Sequence, residues 1–306
     1  MKHIKIISNP HSGRNRKNPK HLKKLSQIAN GAVCLPELAE LDNTIARLRE
    51  EGIDILGISG GDGTIHQVLS AVFRVYREDK WPQIALLSSG TMNNISRNLG
   101  VRKKPAAFLS YIMETLKKRE ALPTTQRSPL IFDEQRAGFI FGQGGISRFL
   151  EIYDEGGNTS QIKAALLLLR AIGSAFVNGP FVRKVFAPVE MSIQIDGVMA
   201  HHKSYTVSVL SSVADMGFGF RPCYHTLRDH EKAQFIGFTR HPIFTAFALP
   251  RMRLALPIKR TDVEDQVGVR FLLQPKEKML YTIDGDLYHC ENTLSIRLAR
   301  KVEFII

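Results

Sequence analysis

The sequence predicts an α/β domain built on a parallel sheet, followed by a β-rich domain. Three observations carry that reading. The chain has 306 residues, and at about 150 residues per domain two domains are expected. Strand-like and helix-like runs alternate through the first third, as in a parallel sheet covered on both faces. Beyond about residue 124 the alternation gives way to short strand-like runs separated by turn signals.

Taken in order, Ile4-Lys5-Ile6-Ile7 is a β-branched run that stops at the turn pair Asn9-Pro10. Pro19 to Ala29 reads as a helix, with Leu22, Leu25 and Ala29 on one face and Lys20, Lys23 and Lys24 on the other. Asp42 to Glu51 gives a second helix. Ile53 to Ile58 is a strand running into Ser59-Gly60-Gly61-Asp62-Gly63-Thr64, and Ile65 to Tyr76 then shows helical periodicity. A further strand, Ile84 to Leu87, enters Ser88-Ser89-Gly90-Thr91, followed by the helix-like Asn93 to Leu99.

Pro123 to Pro129 is a plausible linker, which sets the domains at 1–124 and 125–306 and leaves open a return of the last strand to the first domain. Strand-like runs follow at Leu130–Phe132, Gly138–Phe141, Glu190–Ile195, Tyr205–Leu210, Val267–Leu273, Lys278–Ile283 and Thr293–Leu298, interrupted by a helical insertion from Ser160 to Val177. Asp196-Gly197 and Asp284-Gly285 are turn pairs between such runs.

Hydrophobic residues make up 43% and charged residues 23%, which excludes a disordered or low-complexity chain. Cys34, Cys223 and Cys290 are odd in number and far apart, which argues against a disulfide framework and for a reducing compartment. The apolar run after Met1 is too short for a secretory signal, and Ala164 to Leu169 is too short to span a bilayer. A cytoplasmic protein is expected. Lys and Arg total 42 against 29 Asp and Glu, a net charge of +13. That excess points to a polyanion: nucleic acid, nucleotide phosphate or an anionic membrane.

Gly60-Gly61-Asp62-Gly63-Thr64 lies between a strand and a helix. Glycines there let backbone N–H groups approach a phosphate, and the following helix adds its positive end. The alternative is a tight turn whose glycines supply positive φ. Asn9-Pro10-His11-Ser12-Gly13 and Ser88-Ser89-Gly90-Thr91 also follow strands, so a parallel sheet would bring all three turns to its carboxyl edge, where ligands bind.

These segments, with Gly90-Thr91-Met92-Asn93 and the late Ile283-Asp284-Gly285-Asp286, resemble the catalytic domain of diacylglycerol kinases and related bacterial lipid kinases. That superfamily includes sphingosine and ceramide kinases and, more distantly, NAD kinases. The resemblance covers roughly the first 100 residues well. It implies an NAD-kinase-like domain and a β-sandwich with ATP in the cleft between them, and an ATP- and Mg2+-dependent transfer to a membrane lipid hydroxyl. Carried over, Asn9, Ser12 and Gly13 would contact the nucleotide. Gly60, Gly61, Asp62, Gly63 and Thr64 would cradle the phosphates, and Gly90 and Thr91 would line the same site. Asp286 would take the hydroxyl proton, with Asp284 beside it and Asp62 as the rival base. Asp229 corresponds to a family acid at a magnesium site.

The sequence departs from the family at Gln67 and Asn94, where acids are usual, and Gly142 to Ser147 lacks its customary acid. His66 is a feature shared with sphingosine kinases and keeps a sphingoid-base or ceramide substrate open, as the lost acids keep open a catalytically weak nucleotide- or lipid-binding protein. Basic clusters are scattered along the chain. Phe235 to Arg253 mixes cations with apolar side chains in a way that suits a membrane or an acyl chain. The expected partners are a membrane lipid and an anionic membrane surface, with no nucleic acid, at the inner face of the membrane.

Overall fold

The computed structural model describes every residue except 1, 13, 14, 17, 18, 91, 156–178 and 241. The expected Ser160–Val177 helix therefore lies outside the described residues. Two compact units are present: Met1–Pro129 with Glu134–Ala137 and Arg300–Ile306, and Leu130–Asp133 with Gly138–Ala299.

The first unit is α/β. Its strands are β1 (Ile4–Ser8), β2 (Val33–Cys34), β3 (Ile55–Gly60), β4 (Gln83–Ser88) and β5 (Thr124–Arg127), together with the C-terminal Val302–Ile305. The sheet runs β2-β1-β3-β4, then Val302–Ile305, then β5. All neighbours are parallel except β5, which is antiparallel to Val302–Ile305. The helices are α1 (Pro19–Ile28), α2 (Leu41–Glu50), α3 (Asp62–Tyr76), α4 (Asn94–Asn98) and α5 (Pro105–Lys117). Alternate apolar residues of the strands, such as Ile4, Ile6, Ala85 and Leu87, bury against Leu25, Phe108, Leu109 and Ile112 of α1 and α5.

Strand order reverses beside β1: the chain goes from β1 outward to β2, then from β3 outward to β4 on the other side. Such a reversal leaves a crevice at the strands' carboxyl ends. The register keeps those ends level, with Ser8 opposite Ser59 and Gly60 opposite Ser88.

The second unit is a two-sheet antiparallel sandwich. Its elements are β6 (Leu130–Phe132), β7 (Arg136–Gly138, entered from the first unit), β8 (Ile140–Gly144), α6 (Gly145–Glu155), α7 (Pro180–Val185), β9 (Val189–Ile195), β10 (Val198–Met199), β11 (Ser204–Tyr205), β12 (Val207–Ser211), β13 (Ala233–Phe238), α8 (Pro242–Arg253), β14 (Val263–Gly268), β15 (Arg270–Pro275), β16 (Met279–Ile283), β17 (Asp286–Cys290) and β18 (Leu294–Leu298). One sheet contains β10-β9-β15-β18-β6, and the other is β14-β13-β12-β8-β16-β17. Between them pack Phe132, Phe141, Ile193, Phe235, Phe271 and Tyr281. Helix α8 covers the outer side of the second sheet, with Ala248 and Met252 against Ile236, Phe238 and Val263.

Candidate active site

The three predicted turns of the first unit meet at the carboxyl ends of β1, β3 and β4. Asn9 closes the first onto the second: its Nδ2 donates to Thr64 Oγ1 at 3.1 Å, and its Oδ1 accepts the His11 N–H at 2.9 Å. The second and third turns touch through glycine. A Cβ on Gly90 would sit 2.4 Å from Gly61 Cα, and one on Gly61 would sit 3.1 Å from Gly90 Cα. Gly60 is equally constrained, since its Cβ would meet the Thr64 side chain at 2.3 Å. None of Gly60, Gly61, Gly63 and Gly90 has positive φ. At Gly60, Gly61 and Gly90 the glycine answers to close approach, not to turn conformation.

Helix α3 begins three residues earlier than its apolar periodicity suggested, so Asp62, Gly63 and Thr64 form its first turn. Gly61 is the N-cap and no side chain caps it. The N–H groups of that turn, with the positive end of a 15-residue helix, face the loops as an anion site. The Asp62 carboxylate serves the neighbouring helix: Oδ2 accepts the Asn94 N–H at 2.9 Å and Oδ1 the Ile95 N–H at 3.1 Å. Burial pushes its carboxyl above the usual range, against the lowering effect of those two bonds and of Arg97. Asn93, in the left-handed region at φ 52°, brackets Gly90 by accepting its N–H at 3.0 Å and donating to its carbonyl at 3.1 Å.

Beneath the turns lies a buried polar layer that sequence reasoning missed. Asn15 Nδ2 donates to the Asn9 carbonyl at 2.8 Å and lies 3.3–3.5 Å from Ser8 Oγ, Ser59 O and Ser59 Oγ. Ser59 Oγ is 3.4 Å from Ser89 Oγ, itself 3.4 Å from His21 Nε2. Ser12 Oγ and Asn15 Oδ1 are buried with no partner among the described residues. The available signal was the recurrence of serine at successive strand ends, in Ile7-Ser8-Asn9, Ile58-Ser59-Gly60 and Leu87-Ser88-Ser89-Gly90.

In the second unit, Asp284-Gly285 joins β16 to β17 as a two-residue hairpin, with φ of 51° and 106°. The Asp284 carboxylate reaches the start of β8. Its Oδ1 accepts the N–H groups of Phe139 at 3.0 Å and Ile140 at 2.8 Å. The same device recurs at Ile195-Asp196-Gly197, where Asp196 Oδ1 accepts from Val269 at 3.0 Å and Arg270 at 2.8 Å. In both cases a glycine just before the clamped pair, Gly138 or Gly268, leaves room for the carboxylate. The hairpins differ in the next residue: Val198 in one, the half-buried Asp286 in the other.

Other predicted positions behave differently. Gly13 and Thr91 lie outside the described residues. Asp229 Oδ1 accepts the Glu231 N–H at 2.8 Å in a local turn, and no group of three or more His, Cys, Asp or Glu among the described residues could hold a metal. His66 is fully buried in the first unit, its Nδ1 donating to the Ala137 carbonyl at 2.8 Å.

Residues 3–122, which hold all three turns, match the family described as the diacylglycerol kinase catalytic domain. That segment is similar to the diacylglycerol kinase catalytic domain. Over 118 residues, 37% of this chain, it is 27% identical to a diacylglycerol kinase of Staphylococcus saprophyticus and to one of Staphylococcus aureus strain Newman. The match spans only 38% and 36% of those relatives' lengths. Beyond the catalytic-domain segment the likeness is one of fold. The crystal structure of a diacylglycerol kinase from Bacillus anthracis str. Sterne covers 99% of this chain, and 96% of its own, at a TM-score of 0.66 and 14% identity.

Proposed function

We propose that the protein is a lipid kinase that transfers the γ-phosphoryl group of ATP, with Mg2+, to a hydroxyl of a diacylglycerol-like membrane lipid. The observation that carries this reading is the crevice at the β1/β3 reversal, walled by the Asn9, Gly61 and Gly90 turns and floored by the uncapped start of α3. Those residues suit a polyphosphate: backbone N–H groups and a helix end supply positive potential, and the side-chain-free faces of Gly61 and Gly90 admit close approach. The buried Ser12 hydroxyl and Asn15 carbonyl add polar groups on the same wall.

In this reading Asn9, Ser12 and Gly13 hold the nucleotide, and Gly60 to Thr64 with Gly90 and Thr91 hold its phosphates. Mg2+ entering with ATP would supply neutralisation of the phosphate charge. The lipid hydroxyl oxygen bonds to the γ-phosphorus as the bond from that phosphorus to the bridging oxygen breaks, and ADP leaves. Asp286 accepts the hydroxyl proton. Asp284 holds the hairpin that carries Asp286, and Asp62 sets the start of α4 and so the Gly90 turn. Both are positioning residues. The protein would act as a cytoplasmic, peripheral protein at the inner face of the membrane. Among the described residues no helix is long and apolar enough to cross one.

The test is transfer of label from γ-labelled ATP to diacylglycerol, ceramide, sphingosine or NAD, each supplied separately to the full chain. Label in diacylglycerol is expected. Transfer to ceramide or sphingosine instead would reassign the lipid, and transfer to NAD would overturn the lipid assignment. ATP binding without transfer to any of them would leave a nucleotide-binding protein.

A further inference from the structure

We propose that the outer face of the second unit formed by α8 and the loop after it docks onto an anionic lipid bilayer. The inference deepens the lipid-kinase reading and rests on it for its purpose, but the binding itself is measured without catalysis. Exposed apolar side chains concentrate here: Leu254 is 69% exposed, Phe247 60%, Leu227 49% and Leu256 41%. Isolated exposed leucines are ordinary, but a group of them rimmed by charge marks an interaction surface.

The leucines are rigidly presented. Met252 and Ala248 pin α8 to the sheet from its inner side. The Leu256 N–H donates to the Arg251 carbonyl at 2.9 Å and the Ala255 N–H to the Met252 carbonyl at 3.2 Å, which fixes the turn that turns Leu254 outward. Leu227 and Leu256 also line a cleft of about 660 Å3, whose rim carries Arg228 and Lys259 and whose lining also includes Glu264 and Asp265. Apolar and cationic groups therefore share one rim.

The charge of the helix and its loop is itself one-signed. From Lys232 to Thr261 the sequence has six Lys or Arg and no Asp or Glu. Arg240 and Arg260 reach Asp262 from outside that stretch. Arg251 donates through Nε to the Pro257 carbonyl at 2.8 Å, and Arg253 donates to the Phe218 carbonyl. These carbonyls orient the guanidinium groups without neutralising them. A cation placed at an anionic leaflet strengthens binding roughly fivefold. Single-stranded nucleic acid would answer the same charge but calls for exposed aromatic platforms. Three of these four exposed side chains are leucine, which partitions into the headgroup and acyl boundary, and Phe247 alone among them could stack a base.

The experiment is co-sedimentation of the full chain with vesicles of phosphatidylcholine, alone or mixed with phosphatidylglycerol. Binding is expected on the mixed vesicles only, and salt should weaken it. Leu254→Glu with Leu256→Glu should lower the partition at least about tenfold, and Arg228→Ala with Lys259→Ala should reduce the preference for anionic lipid. Both should leave the melting temperature unchanged. Leu35→Glu with Leu38→Glu, exposed leucines of the other unit, should bind as the parent does. Equal binding to both vesicle types, no vesicle binding, or unchanged partition in the Leu254/Leu256 pair would each overturn the proposal. So would a loss of single-stranded DNA binding, or of self-association, in place of vesicle binding. If vesicle binding behaves as expected but no lipid is phosphorylated, the docking face stands and the kinase reading alone falls.

Discussion

Asp284 and Asp196 form a matched pair that separates a structural carboxylate from a reacting one. In Asp284→Ala, two backbone N–H groups, those of Phe139 and Ile140, lose their acceptor. The site is only half-buried, so the low end of the cost of an unsatisfied donor, about 1 kcal/mol each, is appropriate. Residue 284 also has a φ of 51°, which alanine tolerates worse than aspartate by about 1 kcal/mol. The total is about 3 kcal/mol, or a fall in melting temperature of about 6–12 °C for a unit of this size. Asp284→Asn should cost less, about 1 kcal/mol, because Oδ1 reaches both N–H groups and asparagine tolerates positive φ, while the amide nitrogen replaces the Oδ2 that also accepts the Phe139 N–H at 3.0 Å. Asp196 has the same geometry on an exposed hairpin, so Asp196→Ala should repeat the pattern at a smaller size. Thermal unfolding of the four variants measures this. Label transfer from ATP should then survive in Asp284→Asn and fall by about two to four orders of magnitude in Asp286→Asn. Loss of transfer in Asp284→Asn at an unchanged melting temperature would refute the division of roles. An unchanged melting temperature in Asp284→Ala would refute the clamp.

Gly90→Ala should raise the ATP dissociation constant about tenfold or more by forcing the Gly61 and Gly90 turns apart; unaltered affinity in equilibrium dialysis would show that the contact is dispensable. Asp62→Asn is not conservative, because each carboxylate oxygen serves a different N–H group and the amide must set a donor against one of them. It should cost about 1–3 kcal/mol and weaken ATP binding while turnover at saturating ATP changes little; collapse of that turnover at full stability would make Asp62 the base. For Glu264, burial raises the carboxyl, but hydrogen bonds from His202, His201 and Gln266 outweigh it and leave the pKa lowered. A lowered folded value means that its stabilisation is present above the unfolded carboxylate range and lost as pH falls through the folded value. Melting curves of the parent and Glu264→Gln should therefore converge as the pH drops below about 4.3, and a constant gap down to the lowest pH would contradict that linkage.

The N-terminal architecture was legible because buried parallel strands and amphipathic helices leave opposite periodicities in sequence. Ile55–Gly60 and α3 are examples, and the Asp-Gly pairs correctly announced hairpins. Helix α8 was not legible, since it is apolar on several sides and carries Pro250 within it. Its residues suggested a lipid-facing segment without revealing a helix packed on a sheet. Of the candidate site, the three turns were visible as glycine clusters, but the reason for their glycines was not. Gly61 and Gly90 are 29 positions apart in sequence, and only the register of β3 and β4 shows that their backbones touch. Asn15 escaped for a similar reason, because a lone polar residue after a turn gives no sign that it bridges two strand ends.

Three carboxylates entered as candidate bases, and backbone hydrogen-bond accounting distinguishes them. A helix or strand end leaves N–H groups that need an acceptor when water is excluded. Asp62 meets that need for α4 and Asp284 meets it for β8, each with geometry fixed by neighbouring backbone. A carboxylate so held is a poor proton acceptor for a moving substrate, since protonation would weaken the bonds that fix the site. The second Ile-Asp-Gly hairpin strengthens the point. It carries the same clamp with valine in place of Asp286, so the clamp does not depend on an acid at that third position. The clamp therefore does not need an acid at Asp286, and proton transfer is the role we propose for it under the kinase reading.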